Sequence, residues 1–173
     1  LGSAVVESRG FRGRLRERQD AATAAVGRAT ERVRLIETTI RAIQVANLRL
    51  ARQADDAETA ALGGLRQRLL AEIRALQLVR EEGTRRQAAL DARFDELGAL
   101  AARAALSGEA HALLATAGGP RSAPAGVADG MVALEREVDA IDSLLGAATG
   151  RLEAALTASD GGLERATRSR GGA

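Results

Sequence analysis

The chain has 173 residues, a length that suits one domain, and its 25 basic residues against 23 acidic residues leave a formal net charge of +2. This near balance does not indicate a nucleic-acid-binding surface, and the absence of cysteine excludes disulfides and thiolate metal sites. No window of about 18 residues lacks charge, so no membrane-spanning helix is expected. Aromatic residues make up only 1% of the chain, and the core must therefore depend on Leu, Val, Ile and Ala.

The first twenty residues are predicted to stand apart from the main helices. Residues 1–3 look like the remnant of a cleaved expression tag, and residues 4–20 form an arginine-rich lead-in interrupted by Gly10 and Gly13. The arginines could contact phosphate or an acidic partner, whereas the interleaved acids and scarce aromatics favour a solvated helix start. These arginines are Arg9, Arg12, Arg14, Arg16 and Arg18.

A 3.5-residue repeat from Ala22 to Ala61 predicts one long helix over residues 21–62, because such a repeat keeps one seam of a helix facing a partner helix. Asn47 is the one polar residue of this seam. It is either a position that solvent reaches or the register-fixing asparagine of a parallel dimer. The seam consists of Ala22, Val26, Ala29, Val33, Ile36, Ile40, Ile43, Asn47, Leu50, Ala54, Ala57 and Ala61.

The register of the apolar residues changes at Gly63 and Gly64. Two glycines allow a tight reversal, although each costs only about 1 kcal/mol inside a helix, so a helix-helix turn is predicted and an unbroken helix remains open. A reversal at this pair would place Val33 opposite Phe94. The same pair would serve as a hinge if two chains opened and exchanged helices.

A second helix is predicted over residues 65–106. Its polar middle, residues 80–87, would face Ile40 and Ile43 of the first helix, so a third element should cover that region. The apolar residues assigned to its packing face are Ile73, Leu76, Leu90, Phe94 and Leu97.

Both prolines fall in residues 107–130, which are predicted to form a loop with at most one helical turn, around residues 110–115. A third helix follows over residues 131–157, and residues 158–173 are predicted to be a disordered tail. The strongest part of the third seam, residues 134–145, is expected to pack over residues 36–43 of the same or another chain. This seam consists of Met131, Leu134, Val138, Ile141, Leu145, Ala148, Leu152 and Ala155.

The sequence gives no grouping that predicts a catalytic, cofactor or metal site. His111 has no cysteine and no second histidine to complete such a site, and it is interpreted as an ordinary loop residue. The chain has no lysine for a phosphate-binding loop. Three pairs of adjacent acids are mixed with arginines, as on a solvated helix face, and these pairs are Asp55-Asp56, Glu81-Glu82 and Asp95-Glu96.

The lysine-free helices rich in Ala and Arg, together with the loop ATAGGPRSAPA over residues 115–125, resemble the helical, fibrous middle region of the large tegument proteins of alphaherpesviruses. This resemblance implies a long scaffold on the capsid surface, involved in tegument assembly and capsid transport. It also implies a location in the virion tegument or the host cytoplasm. The same composition fits a cytoplasmic coiled-coil protein of a GC-rich bacterium.

The sequence therefore predicts an all-α fold, an elongated helical hairpin or three-helix coiled-coil rod that could also form a domain-swapped dimer. The predicted function is a non-enzymatic scaffold or spacer within a larger protein, with protein partners, a homodimeric state, no cofactor and no nucleic acid. The alternative is a binding module whose third helix or arginine-rich start docks an acidic or helical protein. The hinge residues are Gly63 and Gly64. The helix-helix interface is assigned to Val26, Val33, Ile36, Ile40, Ile43, Asn47, Leu50, Ile73, Leu76, Leu90, Phe94, Leu97, Leu134, Val138, Ile141 and Leu145.

Overall fold

The computed structural model describes the backbone of residues 2–49, 56–114 and 125–171, and the side chains of 10–46, 48, 57–107 and 127–168. Three helices fill the described backbone: α1 over Gly2–Arg49, α2 over Asp56–Leu114 and α3 over Ala125–Gly171. No strand occurs in these ranges. The predicted all-α, three-helix fold is confirmed.

The chain divides into two compact units, and each unit takes a part of all three helices. Unit 1 comprises Leu1–Arg18 and Glu81–Leu144, and unit 2 comprises Gln19–Arg80 and Leu145–Ala173. The boundary in α2 falls where its apolar seam becomes polar, at Arg80.

In unit 2, α2 runs antiparallel to α1, and α3 runs parallel to α1. Gln19 donates to the carbonyl of Arg80, 61 residues away, whereas Arg66 donates to Glu37, only 29 residues away, so α2 runs back along α1. Arg28 and Arg32 of α1 pair with Glu153 and Asp160 of α3, so a later residue of α1 meets a later residue of α3 and the two helices are parallel. The core draws on all three helices and includes Ala22, Ala25, Ala29, Val33, Ile36, Ile43, Leu62, Leu69, Ile73, Leu76, Ala148, Leu152, Ala155, Leu156, Leu163 and Ala166.

In unit 1, α3 also runs parallel to α1, because Arg14 pairs with Asp139 and Arg18 pairs with Asp142. Arg12 donates to Asp95 of α2 over a separation of 83 residues, and Arg18 donates to Asp142 of α3 over 124 residues. Six large apolar side chains are buried here, and they are Leu15, Leu90, Phe94, Leu134, Val138 and Ile141.

The predicted lead-in is part of α1, which begins at Gly2 rather than at residue 21. Leu15 is buried and Phe11 is half-buried, and this burial outweighs the weak helix propensity of the two glycines. A Cβ added at Gly10 or Gly13 would meet nothing within 4 Å, so neither glycine is needed for close packing.

The predicted turn at Gly63 and Gly64 is wrong, because both residues lie inside α2. The chain passes from α1 to α2 within residues 50–55, which lie outside the described residues together with the predicted seam positions among them. Leu62 and Leu69 flank the pair and are 1% and 0% exposed. Burying each leucine contributes about 1.5–3 kcal/mol, against about 1 kcal/mol lost for each helical glycine.

The last helix is longer than predicted. It begins at Ala125 and continues to Gly171, and α2 reaches Leu114, so the predicted loop over residues 107–130 is wrong at both of its ends. Residues 115–124 lie outside the described residues. The segment predicted to be a disordered tail is helical to residue 171. Its 3.5-residue repeat continues through positions that are small rather than strongly apolar, namely Ser159, Gly162 and Ala166, all of them buried.

The part of α3 that shares a core with the isoleucines of α1 also differs from the prediction, which assigned residues 134–145 to that role. Ile36 and Ile43 belong to the core of unit 2, together with Leu163 and Ala166 from the supposed tail. Leu134 and Ile141 are buried in unit 1. The third helix therefore does contribute to the core that contains these isoleucines, but it does so with residues that lie beyond the predicted segment 134–145.

Candidate helix interaction surfaces

The two aromatic residues of the chain meet in unit 1. Phe11 of α1 and Phe94 of α2 stack with ring centroids 5.9 Å apart and an interplanar angle of 29°. Arg12 lies over the Phe94 ring at 5.9 Å, and Arg14 lies over the Phe11 ring at 5.1 Å. Stacked rings and cation-π contacts of this geometry add specific attraction to the burial of apolar area, so they favour this pairing of α1 with α2.

The arginine-rich start of α1 contacts carboxylates of its own chain. Arg12 Nε lies 2.8 Å from Asp91 Oδ1, and Arg12 Nη2 lies 3.4 Å from Asp95 Oδ1. Arg14 and Arg18 reach α3 instead. In unit 1, Arg12, Arg14 and Arg18 therefore pair with aspartates of the same chain.

A ladder of four ion pairs joins α1 to α3. Every basic member lies on α1 and every acidic member on α3, with two pairs in each unit. We call this set the α1-α3 ladder. It consists of Arg14-Asp139 at 3.6 Å, Arg18-Asp142 at 2.7 Å, Arg28-Glu153, and Arg32-Asp160 at 2.6 Å.

The ladder lies at the surface, since its side chains are 28% to 58% exposed. Exposed pairs contribute about 0–1 kcal/mol each, so their main effect is on which helices pair and in what register. The hydrogen bond to Asp142 raises the pKa of the Arg18 guanidinium above its ordinary value. An arginine is charged at neutral pH with or without this shift, so the ion pair does not depend on it.

Two glycines of α3 are in close contact with leucine side chains of α2. A Cβ added at Gly130 would lie 2.8 Å from Leu97 Cδ2, and a Cβ added at Gly162 would overlap Leu65 Cδ1. The first contact lies in unit 1 and the second in unit 2. At both points the leucine packs where any other residue would place its side chain, and we call these two contacts the glycine seats.

Other ion pairs link the remaining helix pairs. Arg66 Nε lies 2.7 Å from Glu37 Oε1 between α2 and α1. Between α2 and α3, Arg93 lies 3.0 Å from Glu137, and Glu72 lies 3.6 Å from Arg151. Unlike the ladder, the α2-α3 pairs have the basic residue on α2 in one case and on α3 in the other.

Most of the predicted interface residues that the structure describes are buried within the two units. Val26, Ile40 and Leu97 are half-buried, whereas the side chains of Asn47 and Leu50 lie outside the described residues. Phe94 contacts Phe11 rather than the predicted Val33. The buried members are Val33, Ile36, Ile43, Ile73, Leu76, Leu90, Phe94, Leu134, Val138, Ile141 and Leu145.

The ladder and the glycine seats were not predicted. Their residues fall on the flanks of the seams, so they can be matched across helices only when the register of the helices is known. The sequence does contain one hint, because Arg14 and Arg18 recur two heptads later as Arg28 and Arg32.

Two of the acids considered as candidate site residues form ion pairs within the chain. Asp95 pairs with Arg12, and Glu82 pairs with Arg85 and Arg86 on its own helix. The hydrogen bond from Arg86 lowers the pKa of the Glu82 carboxyl below its ordinary value. His111, predicted to be a loop residue, is in the helical backbone of α2, and its side chain lies outside the described residues.

Within the described ranges, no group of three or more His, Cys, Asp or Glu residues is arranged to hold a metal ion. None of the described helices is long and apolar enough to cross a membrane. Comparisons with family models, with curated proteins and with solved structures gave no match.

Proposed function

We propose that this chain is a non-enzymatic scaffold that acts through helix-helix packing within a larger protein. The observation that carries the proposal is the burial of all three apolar seams against one another in each unit, as at Ile36, Leu76 and Leu152 in unit 2. Such a helix bundle can hold attached segments at fixed separations, because its helices are packed along their seams and not merely formed by propensity.

The distribution of polar groups supports the proposal. Ser159 is the one polar side chain in the buried class among the described residues, and its hydroxyl donates to the carbonyl of Leu156 at 2.7 Å. A hydroxyl that bonds to its own helix is satisfied without a ligand. The arginines with ion pairs face carboxylates of the same chain, which is the arrangement of a charged helix surface.

The alternative, a module that docks an acidic or helical protein, is less well supported. Its two proposed surfaces were the arginine-rich start and the apolar stripe of the third helix. Arg12, Arg14 and Arg18 pair within unit 1, and Val138 and Leu152 are buried in the cores. A partner using these surfaces would first have to displace contacts of the chain itself.

The proposed location and oligomeric state of the scaffold are based on the sequence. The resemblance to the fibrous region of alphaherpesvirus tegument proteins favours a spacer in the tegument, and a homodimer would lengthen or cross-link such a spacer. The elongated shape, the location and the homodimer remain part of the proposal.

The proposal can be tested by measuring distances between spin labels in unit 2. The chain has no native cysteine, so labels attach only to introduced ones. Thr23→Cys with Arg41→Cys reports on α1 alone, and Arg41→Cys with Arg74→Cys reports on α1 against α2, all at exposed positions. A scaffold should give narrow distance distributions without any partner, with about 27 Å between the backbones of residues 23 and 41.

A matched pair of leucines provides the control. Leu76 is 0% exposed and Leu78 is 66% exposed on the same helix. Leu76→Ala should lower the free energy of unfolding by about 2–5 kcal/mol and broaden the α1-α2 distance. Leu78→Ala should change the free energy by less than about 0.5 kcal/mol. A broad α1-α2 distance in the unmodified chain, narrowing only when another protein is added, would contradict the scaffold and favour the binding module.

A further inference from the structure

The C-terminal part of α1 has a second apolar seam, on the face opposite its core seam. Val33, Ile36 and Ile43 belong to the core of unit 2. Large apolar side chains recur two residues after the first and the last of these, at Leu35 and Val45, and they are 50% and 47% exposed. Because each residue turns an α-helix by about 100°, an offset of two residues places the second seam about 200° from the first. The second seam therefore faces away from the core.

We call this second seam the outer seam. It follows the 3.5-residue repeat for about two heptads within unit 2 and ends at Leu48, which is 82% exposed. Between its large side chains lie Thr38, which is exposed, and Ala42, which is half-buried. The outer seam consists of Leu35, Thr38, Ala42, Val45 and Leu48.

The corresponding faces of the other two helices in unit 2 do not have such a run. Two residues beyond the buried positions, the described part of α2 has one large apolar side chain, that of Leu78, and α3 has none. A single exposed leucine is common on protein surfaces, whereas large apolar residues repeated at heptad spacing are typical of a helix that packs against another helix. These positions are Gly64, Ala71, Ala75 and Leu78 on α2, and Gly150, Ala154 and Thr157 on α3.

The charged residues on the flanks of the outer seam are basic. Arg34 and Arg41 lie seven residues apart on one flank and are both exposed, whereas Thr39 and Ala46 on the other flank are uncharged. Arg34 pairs with Glu31 of its own helix at 2.5 Å. Arg41 forms no ion pair with another described residue. An acid that approaches this flank would therefore find a guanidinium that needs to leave no other described carboxylate.

A second copy of the chain does not complement this flank. If two outer seams packed antiparallel with Leu35 opposite Val45, the two Arg41 side chains would face each other across the twofold axis. In a parallel pairing, Arg34 and Arg41 would face uncharged residues of the opposite flank. Self-pairing thus gains no ion pair, and in the antiparallel case it places like charges together.

We propose that the outer seam binds an amphipathic helix of another protein whose acidic residues face Arg34 and Arg41. The apolar side chains supply the attraction, and the two arginines select an acidic flank. Unlike the arginine-rich start and the core face of α3, this surface is not occupied by contacts of the chain itself, so binding requires no rearrangement of unit 2. A contact of about two heptads is small, and we expect reversible binding. This inference rests on the proposed function, because it adds a docking site to an already folded scaffold.

Two fluorescent peptides test the proposal by anisotropy with the full chain. Each is a designed helix of about three heptads with leucine at its seam, because shorter helices are marginal in water. One peptide has glutamate on both flanks and the other has arginine, so neither pairs with itself. We expect the glutamate peptide to bind about 10-fold more tightly than the arginine peptide.

Variants of the outer seam locate the binding. Leu35→Ser with Val45→Ser should weaken binding of the glutamate peptide at least about 10-fold, because it removes two apolar contacts. Helical circular dichroism should not change, since both side chains lie outside the core. Leu78→Ser on α2 is the matched control, and it should leave binding unchanged.

A second pair of variants tests the charge preference. Arg41→Glu should weaken binding of the glutamate peptide and strengthen binding of the arginine peptide. Arg74→Glu, at an exposed position of α2, changes net charge by the same amount and should affect neither peptide.

Several results would overturn the proposal. They are equal binding of the two peptides, no binding of the glutamate peptide, and binding that Leu35→Ser with Val45→Ser does not weaken. A dimer of the chain alone that this variant abolishes in sedimentation would also overturn it, because a second copy would then cover the outer seam. Label distances measured without peptide do not depend on the outer seam, so failure of the docking is distinguishable from failure of the scaffold proposal.

Discussion

Adjacent glycines of α3 differ in what surrounds them. Gly161 is exposed, and a Cβ added there would meet nothing within 4 Å, whereas Gly162 is buried and faces Leu65 of α2. Gly161→Ala should raise the free energy of unfolding by about 0.5–1 kcal/mol, because alanine loses less conformational entropy in a helix than glycine. Gly162→Ala brings the same gain in helix propensity, but its new methyl group must displace the Leu65 side chain.

Chemical denaturation of the two variants measures the difference. We expect Gly162→Ala to be less stable than Gly161→Ala, since moving a packed leucine costs energy even when its side chain can rotate. The double variant Gly162→Ala with Leu65→Ala removes the clash and should recover part of the propensity gain. Equal stabilisation by the two single variants would show that Leu65 does not occupy Gly162 closely.

At the scale of the helix, replacing the two adjacent glycines of α2 with alanine is expected to stabilise the fold. Gly63 and Gly64 lie in the interior of α2, and added Cβ atoms would meet nothing within 4 Å. Gly63→Ala with Gly64→Ala should therefore raise the free energy of unfolding by about 1–2 kcal/mol. Sedimentation should show the same distribution of monomer and dimer as the unmodified chain. A shift toward dimer would instead support the prediction that Gly63 and Gly64 act as the hinge of a domain-swapped dimer.

The helices could be predicted because a 3.5-residue repeat is a local property of the sequence. The turn could not be placed, since Ala57 and Ala61 continue the repeat of α1 although alanine favours no particular partner. A better indication of the start of α2 is the acidic stretch of Asp55, Asp56 and Glu58, because acids are favoured in the first turn of a helix. Asp55 and Asp56 taken as a pair indicate only a solvated face.

The C-terminal part of α3 was missed for a related reason. Ser159 and Gly162 are not apolar by type, so they do not extend the apolar repeat of the sequence, yet both are buried in the structure. The Phe11-Phe94 stack and the ladder depend on the register between helices. A turn placed too late shifts every facing pair, and only the tertiary structure shows which arginine meets which acid.

At the scale of the whole molecule, apolar burial and ion pairing have different roles. The chain has 25 basic and 23 acidic residues, and many of them form exposed pairs. Salt screens such pairs, because the Debye length falls from about 10 Å at 0.1 M to about 3 Å at 1 M. The buried seams of Leu, Ile, Val and Ala are not weakened by sodium chloride in this way.

We therefore expect the free energy of unfolding, measured by urea denaturation, to fall between 0.05 M and 1 M sodium chloride by less than the loss of about 2–5 kcal/mol expected for Leu76→Ala, because many exposed pairs contribute nothing measurable and salt screens like-charge contacts as well. Like-charge contacts are screened as well, so Arg18→Glu with Arg32→Glu should regain stability at high salt. Leu76→Ala should remain destabilised at both salt concentrations, because its defect is a cavity. A loss in the unmodified chain as large as that of Leu76→Ala would mean that the ion pairs, rather than the seams, hold the helices together.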